Sequence, residues 1–202
     1  RPGEPVPLSG LEKFPLKYQK RKPLPDASGL YKGARFALCR DYHKEISARL
    51  EKILSAVGAL APGVEGKIFV DTSPVPEKFI AQKAGLGFQG KNTLLINREL
   101  GSFVVLGGIA LSLSLEPDSP EERRCGDCRK CLEACPTCAL SEKGLDIGRC
   151  LAYWLNSAFA EMPENMAQAA RGMIAGCDIC QEVCPWNSEG RNCAESLLSR
   201  RR

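Results

Sequence analysis

The sequence predicts an α+β or α/β fold, in which a small sheet is layered with helices, followed by a cysteine-rich module. The first observation is that the 124 residues before Cys125 contain one cysteine, whereas the rest of the chain contains ten. The second is the order of apolar patterns before Cys125, which runs helix, strand, helix, strand, strand. Secreted disulfide scaffolds spread cysteines through short chains, so this asymmetry favours metal binding in a reducing compartment.

Composition sets broad limits on the class of protein. The chain has 202 residues, of which 44% are hydrophobic and 26% are charged, as is usual for a globular protein. No apolar run approaches the roughly 20 residues of a membrane helix, and no secretory signal follows Arg1. We therefore expect no membrane span and a cytoplasmic location. The net charge of +4 fits an anionic partner such as RNA but does not demand one.

The first half of the α/β region contains one long helical pattern and one strand. Residues 1–34 are rich in Pro and Lys, which predicts an irregular or extended lead-in. Helical spacing of apolar residues predicts a helix over 41–58, with Gly58 as its stop. The short apolar run 67–70 predicts a buried strand that ends at Asp71.

The second half of this region predicts another helix and two strands. Residues 76–84 predict a helix with Pro near its first turn. A Gly-rich link (85–92) joins it to strands over 93–96 and 102–106, and 109–113 is a candidate extension of the second.

These patterns divide the chain into four parts. We predict an irregular lead-in (1–34), a domain of helices and strands (35–120), a cysteine module (121–187) and a polar, basic tail (188–202).

The cysteine spacing is the most specific signal. The first run, from Cys125 to Pro136, reads C-x2-C-x2-C-x3-C-P. In two-cluster bacterial ferredoxins, three cysteines of such a run hold one cubane and the fourth, before Pro, ligates the other. The second run, from Cys177 to Pro185, has three cysteines and lacks one, which Cys150 can supply. We therefore predict two [4Fe–4S] clusters: one takes Cys125, Cys128, Cys131 and Cys184, and the other takes Cys135, Cys150, Cys177 and Cys180.

Zinc is the main alternative, because CxxC pairs also build zinc ribbons, although such sites seldom need this spacing. Disulfides are a weaker alternative. Three cysteines stay outside the ligand set. We interpret Cys39 as a core residue, Cys138 as a bystander beside a ligand, and Cys193 as a tail thiol.

Two clusters at ferredoxin spacing form a path for electrons, and that path needs an acceptor. A ferredoxin-like electron carrier with no further cofactor is one hypothesis, but it leaves residues 1–124 without a role. An acceptor site in that region is the sharper hypothesis.

Several segments outside the cysteine spacing resemble the epoxyqueuosine reductases, cobalamin-dependent iron–sulfur enzymes that finish the modified base queuosine in tRNA. The resemblance covers about 34–187. The matching segments are Arg40-Asp41-Tyr42-His43-Lys44, Val70-Asp71-Thr72, 84–95, 101–107, Cys125-Gly126-Asp127-Cys128, Cys135-Pro136-Thr137 and 176–187.

The resemblance implies a fold, a reaction and an acid. It implies a nitroreductase-like, cobalamin-binding domain within 35–120 and electrons that pass through two clusters to cobalamin. The family reduces an epoxide on the base to an alkene and releases the oxygen as water. Asp71 stands where the family places the acid that protonates this oxygen, close to the cofactor. We expect Asp71 to be buried, with a raised pKa; from the residues alone, a helix cap before Pro76 is the alternative.

The resemblance also implies residues that line the corrin. These are Leu95, Leu106 and Ala152, for each of which an apolar core position is an equal alternative. The glycines of 85–92 would let the backbone approach the flat macrocycle. His43, the only histidine, is either an axial cobalt ligand or acid/base group, or a hydrogen-bonded residue at a helix start.

The implied partners are tRNA carrying epoxyqueuosine and an unidentified electron donor, and we expect a monomer. Another corrinoid iron–sulfur reductase, such as a reductive dehalogenase, is the second hypothesis. The Asp71 segment and the Gly-rich link favour the queuosine enzyme over it.

Overall fold

The computed structural model describes residues 6–7, 30–38, 40–156 and 161–188. The predictions for Cys39, Cys193, the tail 189–202 and most of the lead-in lie outside these residues. The described helices are α1 (Tyr42–Leu60), α2 (Glu77–Lys83), α3 (Lys130–Glu133), α4 (Leu151–Asn156), α5 (Glu164–Ala169) and α6 (Ile179–Glu182). The described strands are β1 (Val6–Pro7), β2 (Leu30–Gly33), β3 (Gly66–Phe69), β4 (Phe88–Gln89), β5 (Leu95–Ile96), β6 (Gly108–Leu111), β7 (Leu140–Ser141), β8 (Gly144–Leu145) and β9 (Met173–Ile174).

The strands form small separate sheets of mixed direction. β2 pairs antiparallel with β1 and parallel with β9, while β3–β6, β4–β5 and β7–β8 are antiparallel pairs. β1 and β2 lie inside the segment that we predicted to be irregular or extended, and both are short extended stretches. β2 also pairs with β9, about 140 residues away in the chain, and such a distant partner leaves no local signal in the sequence.

Helix α1 packs on the β3–β6 pair and confirms the predicted helix. Asp41 caps its first turn by accepting a hydrogen bond from the His43 N–H at 3.1 Å. Leu54 lies so close to Gly66 that a Cβ there would collide with it. The helix continues two residues past Gly58 and ends at Leu60, because Gly58 takes ordinary helical backbone there.

The β3–β6 pair places Asp71 at its end, since β3 is followed by buried Val70 and then Asp71. β6 begins at Gly108, so the predicted strand over 102–106 is wrong and the suggested extension is closer to the observed strand. The Ser102 N–H bonds to the Asn187 side chain at 2.7 Å, which takes this segment away from a strand neighbour.

Helix α2 and the β4–β5 hairpin form the core that faces the cysteine module. Phe88 and Ile96 are fully buried, and the Phe88 ring meets Trp186 edge to face at 5.4 Å. The helix prediction for 76–84 is confirmed. The strand predicted over 93–96 is reduced to its last two residues, and β4 was missed inside the Gly-rich link.

Around the cysteines lie the short helices α3 to α6. A second apolar core consists of Leu151, Leu155, Met166 and Ala170, against which Cys177 packs. Among the described residues, no helix has both the length and the apolar character needed to cross a bilayer.

Candidate redox and catalytic sites

The first group of thiols comes from the turn before α3 and from the end of α6. Cys125, Cys128, Cys131 and Cys184 line one cavity of about 380 Å³. The Cys128 N–H donates to the Cys125 carbonyl at 3.1 Å, and this turn aims both side chains at the cavity. Burial raises the pKa of Cys131, and the neighbouring Cys125 and Cys184 thiolates add to that rise.

The second group lies deeper and contains Cys135, Cys150, Cys177 and Cys180. Burial raises the pKa of Cys177 to about 11, with further effects from Cys150 and Cys135. Burial raises the pKa of Cys180 to about 12, and the charges of Cys177, Cys150 and Cys131 add to that rise. These interactions join Cys131 to Cys125, Cys128 and Cys184, and join Cys177 to Cys150 and Cys135. Cys180 interacts with members of both predicted sets, so the division into two sets of four stays a prediction.

Cys135 differs from the other thiols in this group. Burial acts to raise its pKa, but hydrogen bonds from Thr137, Ala139 and Leu140 outweigh burial and lower it. The Ala139 N–H donates to Cys135 Sγ at 3.3 Å. Such donors favour the thiolate, which is the form that binds metal. Cys138 is exposed, has a φ of 49° and belongs to neither group.

The donor set fits an iron–sulfur cluster. Among the described residues, no three His, Cys, Asp or Glu side chains converge on a point that would hold a single metal ion. A cubane is wider than an ion and needs space between its thiolates, and the cavity provides that space for the first group. The same cavity is lined by Lys91, Arg124 and Lys130, whose positive charge suits a cluster that is anionic with four thiolates.

A buried polar network joins the second cysteine run to the rest of the molecule. Asn187 accepts from the Ser102 N–H at 2.7 Å and donates to Ser102 Oγ at 2.8 Å and to the Gln181 carbonyl at 2.7 Å. Asp178, also buried, accepts from the Arg35 N–H at 2.7 Å. Asn92 donates to the Cys180 carbonyl at 3.5 Å. These bonds hold α6, which contains Cys180 and is followed by Cys184, against the α/β part.

Asp71 lies on the loop after β3 and has a φ of 57°, a left-handed conformation that costs other non-glycine residues more than Asp or Asn. Its backbone N–H donates to Glu77 Oε1 at 2.6 Å. The Tyr42 hydroxyl donates to Asp71 Oδ2 at 2.9 Å. The side chain is 61% exposed, so the expectation of a buried carboxyl is wrong for this structure. The apolar character of β3 ends at Val70, and the chain turns outward at the next residue.

His43 connects Asp71 to a second carboxylate. Its Nδ1 lies 2.9 Å from Asp41 Oδ1 and its Nε2 lies 3.3 Å from Asp71 Oδ2. The ring stacks on Tyr42 with centroids 4.1 Å apart. The hydrogen bond from the His43 side chain is the main cause that lowers the pKa of Asp41. This arrangement matches the helix-start hypothesis for His43 and also places the ring beside the predicted acid.

A cavity of about 270 Å³ opens next to this group, lined by His43, Ser47, Ile68, Phe69, Val70, Thr72 and Ser73. That volume is below the usual range for a drug-sized ligand, and a corrin is larger. The described residues around Asp71 therefore do not enclose a cobalamin, although they could form one wall of its site.

The predicted corrin-lining residues lie in three different parts of the chain. Leu95 is buried in the β4–β5 hairpin, while Leu106 and Ala152 are half-buried in the segment after Ser102 and in α4. None of the three lines either of the cavities described above. The link glycines have a structural reason within the chain itself, because a Cβ on Gly87 would collide with the Ile96 carbonyl.

Sequence reasoning missed two sets of residues. Tyr42 and Asp41 lie in a segment that resembles the family, yet neither received a role. Ser102 and Asn187 received none either, because partners 85 residues apart in the chain leave no periodic signal. The available sign was that both residues lie in segments that resemble the family, 101–107 and 176–187.

Comparison with known proteins agrees with this arrangement. Residues 124–187 match the family described as 4Fe-4S double cluster binding domain. Residues 14–72 match the family described as Epoxyqueuosine reductase QueG, DUF1730. The epoxyqueuosine reductase of Leadbetterella byssophila is 41% identical over 176 residues, which cover 87% of this chain and 58% of that relative. The chain spans about half the length of the curated relatives it matches.

Two solved structures share the fold. One is an epoxyqueuosine reductase with an epoxyqueuosine-modified tRNA-Tyr stem loop, with a TM-score of 0.72 at 32% identity over 80% of this chain and 42% of the other. The second is the Bacillus subtilis epoxyqueuosine reductase, with its aspartate-bearing catalytic loop swung out of the active site. Its TM-score is 0.73 at 30% identity. The alignment covers 80% of this chain and 42% of the Bacillus subtilis chain. The shared residues and the shared fold identify this chain as a relative of the epoxyqueuosine reductases.

Proposed function

We propose that this chain carries the redox and acid groups of an epoxyqueuosine reductase, which converts epoxyqueuosine in tRNA to queuosine. The reaction takes two electrons and two protons, breaks both epoxide C–O bonds and yields an alkene and water. The observation that carries the proposal is that thiols of the two runs interact across the chain, Cys131 with Cys184 and Cys177 with Cys135. That is the exchange between runs expected of a two-cluster module. The relatives, one of them solved with an epoxyqueuosine-modified stem loop, supply the substrate class.

In this proposal the eight thiols hold two [4Fe–4S] clusters. The clusters, when bound, supply single electrons at low potential. The polypeptide holds them at a fixed separation, because α6 contributes Cys180 to one group while Cys184, just beyond it, belongs to the other. The Asn187 network keeps α6 in place, and the hydrogen bonds to Cys135 stabilise its thiolate.

Asp71 is the proposed acid for the leaving oxygen. With Asp41 as an acceptor, the hydrogen on His43 belongs on Nδ1, so Nε2 faces Asp71 as an acceptor in neutral histidine and as a donor in the imidazolium. One proton can therefore move between His43 and Asp71. Tyr42 donates to the same Asp71 oxygen and leaves the other free for the substrate. In this scheme Asp71 delivers a proton to the oxygen and His43 replaces it.

The exposure of Asp71 is compatible with this role if its loop moves. The Bacillus subtilis relative has an aspartate-bearing catalytic loop that swings out of its active site. A substrate base over the cavity beside His43 would cover Asp71 and favour the protonated carboxyl through desolvation.

Cobalamin and the nitroreductase-like character of residues 35–120 remain part of the proposal, from the resemblance. Leu95, Leu106 and Ala152 are the proposed lining residues. Because the described residues do not enclose a corrin, the steps assigned to this chain's side chains do not pass through it.

The proposal also divides the chain into four parts. The lead-in (1–34), the substrate domain (35–120), the cluster module (121–187) and the tail (188–202) are the proposed parts of a cytoplasmic monomer. The partners are epoxyqueuosine tRNA and an unidentified electron donor. We expect tRNA binding to rest on phosphate contacts and to weaken with salt.

The test is to reconstitute the chain with iron, sulfide and cobalamin and to assay epoxyqueuosine tRNA with a chemical reductant, beside Asp71→Asn. Asparagine tolerates the same left-handed backbone and accepts from Tyr42, but it cannot give a proton. Conversion by the parent and a loss of about 100-fold or more in Asp71→Asn would support the proposal. Equal rates would remove Asp71 as the acid. A fully loaded parent without turnover, even on tRNA that a full-length relative converts, would contradict the assignment of this activity to the chain.

A further inference from the structure

Three cations surround the outer thiol group. Lys91, Arg124 and Lys130, here called the basic rim, line the same cavity as Cys125, Cys128, Cys131 and Cys184. Among the described residues that line this cavity there is no carboxylate. The lining side chains therefore contribute three cations and no carboxylate.

Within the described residues, no carboxylate pairs with the outward part of the rim. Lys91 is only 11% exposed and pairs with Glu142 at 3.1 Å. Arg124 and Lys130 are exposed and form no salt bridge with any residue in the described ranges. In the sequence, 123–130 contains four cations and one carboxylate, Asp127. This surface is suited to an anionic partner.

The position of the rim narrows the class of partner. The outer thiol group lines a cavity beside the exposed Arg124 and Lys130, whereas Cys177 of the inner group packs against an apolar core. Electron tunnelling weakens steeply with distance, so the outer group is the natural receiver. An RNA bound to this rim would not exchange electrons with a cluster held by these thiols, whereas a redox protein would. The position of the rim therefore favours a redox protein.

We propose that the basic rim is the docking surface of a small, acidic, one-electron carrier protein of the ferredoxin class. The inference rests on the two clusters of the proposed function. Each encounter moves one electron: the reduced carrier is oxidised by one electron and the receiving cluster is reduced by one, with no bond or proton exchanged. Charge complementarity raises the association rate and makes it sensitive to salt.

The first test mixes the cluster-loaded chain with a reduced, acidic plant-type [2Fe–2S] ferredoxin in a stopped-flow instrument. We expect the second-order rate constant for cluster reduction to fall steeply as ionic strength rises. A rate that does not depend on salt would overturn the proposal. Dithionite should reduce the clusters in every variant, so failure with dithionite would contradict the proposed clusters rather than the docking surface.

The variant test reverses charge at the rim. Arg124→Glu with Lys130→Glu should slow reduction by the ferredoxin about tenfold at low salt, and Lys52→Glu on α1 is the matched control that should not. Because both rim residues adjoin cysteines, the iron content of the double variant is measured first. If the iron content falls, the charge-reversed variant is replaced by Arg124→Gln with Lys130→Gln. That neutral variant should show a smaller decrease in the rate of reduction by ferredoxin. An unchanged rate of reduction by ferredoxin would overturn the proposal. If the variant also lost affinity for tRNA, the rim would instead be an RNA-binding surface.

Cross-linking supplies a readout independent of electron transfer. A carbodiimide joins a carboxylate of oxidised ferredoxin to a nearby lysine with loss of water, and mass spectrometry locates the bond. The expected product links Lys130. Links confined to lysines of the lead-in, or links that persist unchanged in high salt, would contradict the rim as the docking surface.

Discussion

Cys135 and Cys138 are three residues apart but differ in what surrounds the sulfur. Cys135 is half-buried and receives the Ala139 N–H at 3.3 Å. Cys138 is exposed and lies on left-handed backbone with a φ of 49°. A residue in that conformation can satisfy a tight turn without serving as a ligand. The chain thus separates a ligand from a bystander within one turn.

A serine scan tests this distinction. Cys135→Ser should lower the iron content of the reconstituted chain from about eight to about four per molecule, because one cubane loses a thiolate. Cys138→Ser is the control and should keep the full iron content. The measurement is iron and sulfide analysis together with the visible absorbance of the clusters. Equal iron losses in both variants would contradict the assignment.

Residue-scale chemistry was predictable where spacing alone determined it. The cysteines lie within two short runs plus Cys150, so turn geometry brings most of them together. The exposure of Asp71 was not predictable, because it depends on which elements cover the end of β3. The bonds from Tyr42 and His43 to Asp71 join residues 28 or 29 apart and arise only when α1 packs beside β3.

At the scale of elements, the start of α1 links structure to the proposed acid. Asp41 caps the helix and also accepts from the His43 ring, so its loss should loosen both. Asp41→Ala should destabilise the chain by about 1 kcal/mol, a fall of about 2–4 °C in melting temperature. Asp41→Asn should keep most of the cap. Thermal melts followed by circular dichroism decide between these outcomes, and equal melting temperatures for parent and alanine variant would contradict the cap.

The same cap gives a dependence on pH. The His43 side-chain hydrogen bond lowers the pKa of Asp41 below its ordinary value of 3.8. A lowered carboxyl pKa stabilises the fold fully above the unfolded value and loses that contribution as pH falls through the folded one. Stability of the parent should therefore decline in acid below about pH 4. Asp41→Asn, whose cap cannot titrate, should decline less over the same range when both are unfolded in urea.

Gly101 allows the loop after β5 to pack against Trp186 and Asn187 of the cysteine module. Its φ is 75°, and a Cβ there would collide with Asn187 and lie 2.8 Å from the Trp186 carbonyl. Gly101→Ala should cost about 3 kcal/mol, from left-handed strain and displacement of Asn187 together. Gly144, with a φ of 121° and nothing near a Cβ, is the control, and Gly144→Ala should cost only the strain. Equal losses in urea unfolding would mean that the contact with Asn187 is unimportant.

The elements that were predicted well are those with long local patterns. α1 and α2 follow from apolar periodicity and from caps. The run 103–106 is as apolar as a strand, but Ser102 is bonded to Asn187, and β6 starts only at Gly108. Periodicity reports that a segment is buried, and the pairing partner decides whether it is a strand.

For the whole molecule, each proposed cluster closes a long loop of chain. The outer thiol group joins 125–131 to Cys184, and the inner group joins Cys135 and Cys150 to 177–180. The helices between them are short, with α3 and α6 each four residues long. Such helices are not stable alone, so bound metal should supply much of the order in this half.

Removal of the clusters should therefore loosen the two halves of the chain unequally. After oxidation and chelation, amide hydrogen exchange should become much faster in α3 and α6, because their ends lose the ligands that fix them. α1, β3 and β6 pack against one another and contain no cluster ligand, so their exchange should change little. Rebuilding with iron and sulfide under anaerobic conditions should restore protection in α3 and α6, which separates cluster loss from damage. Uniform loss of protection over both halves would instead show that the bonds from Asn187 to Ser102 and Gln181 transmit cluster binding to the whole fold.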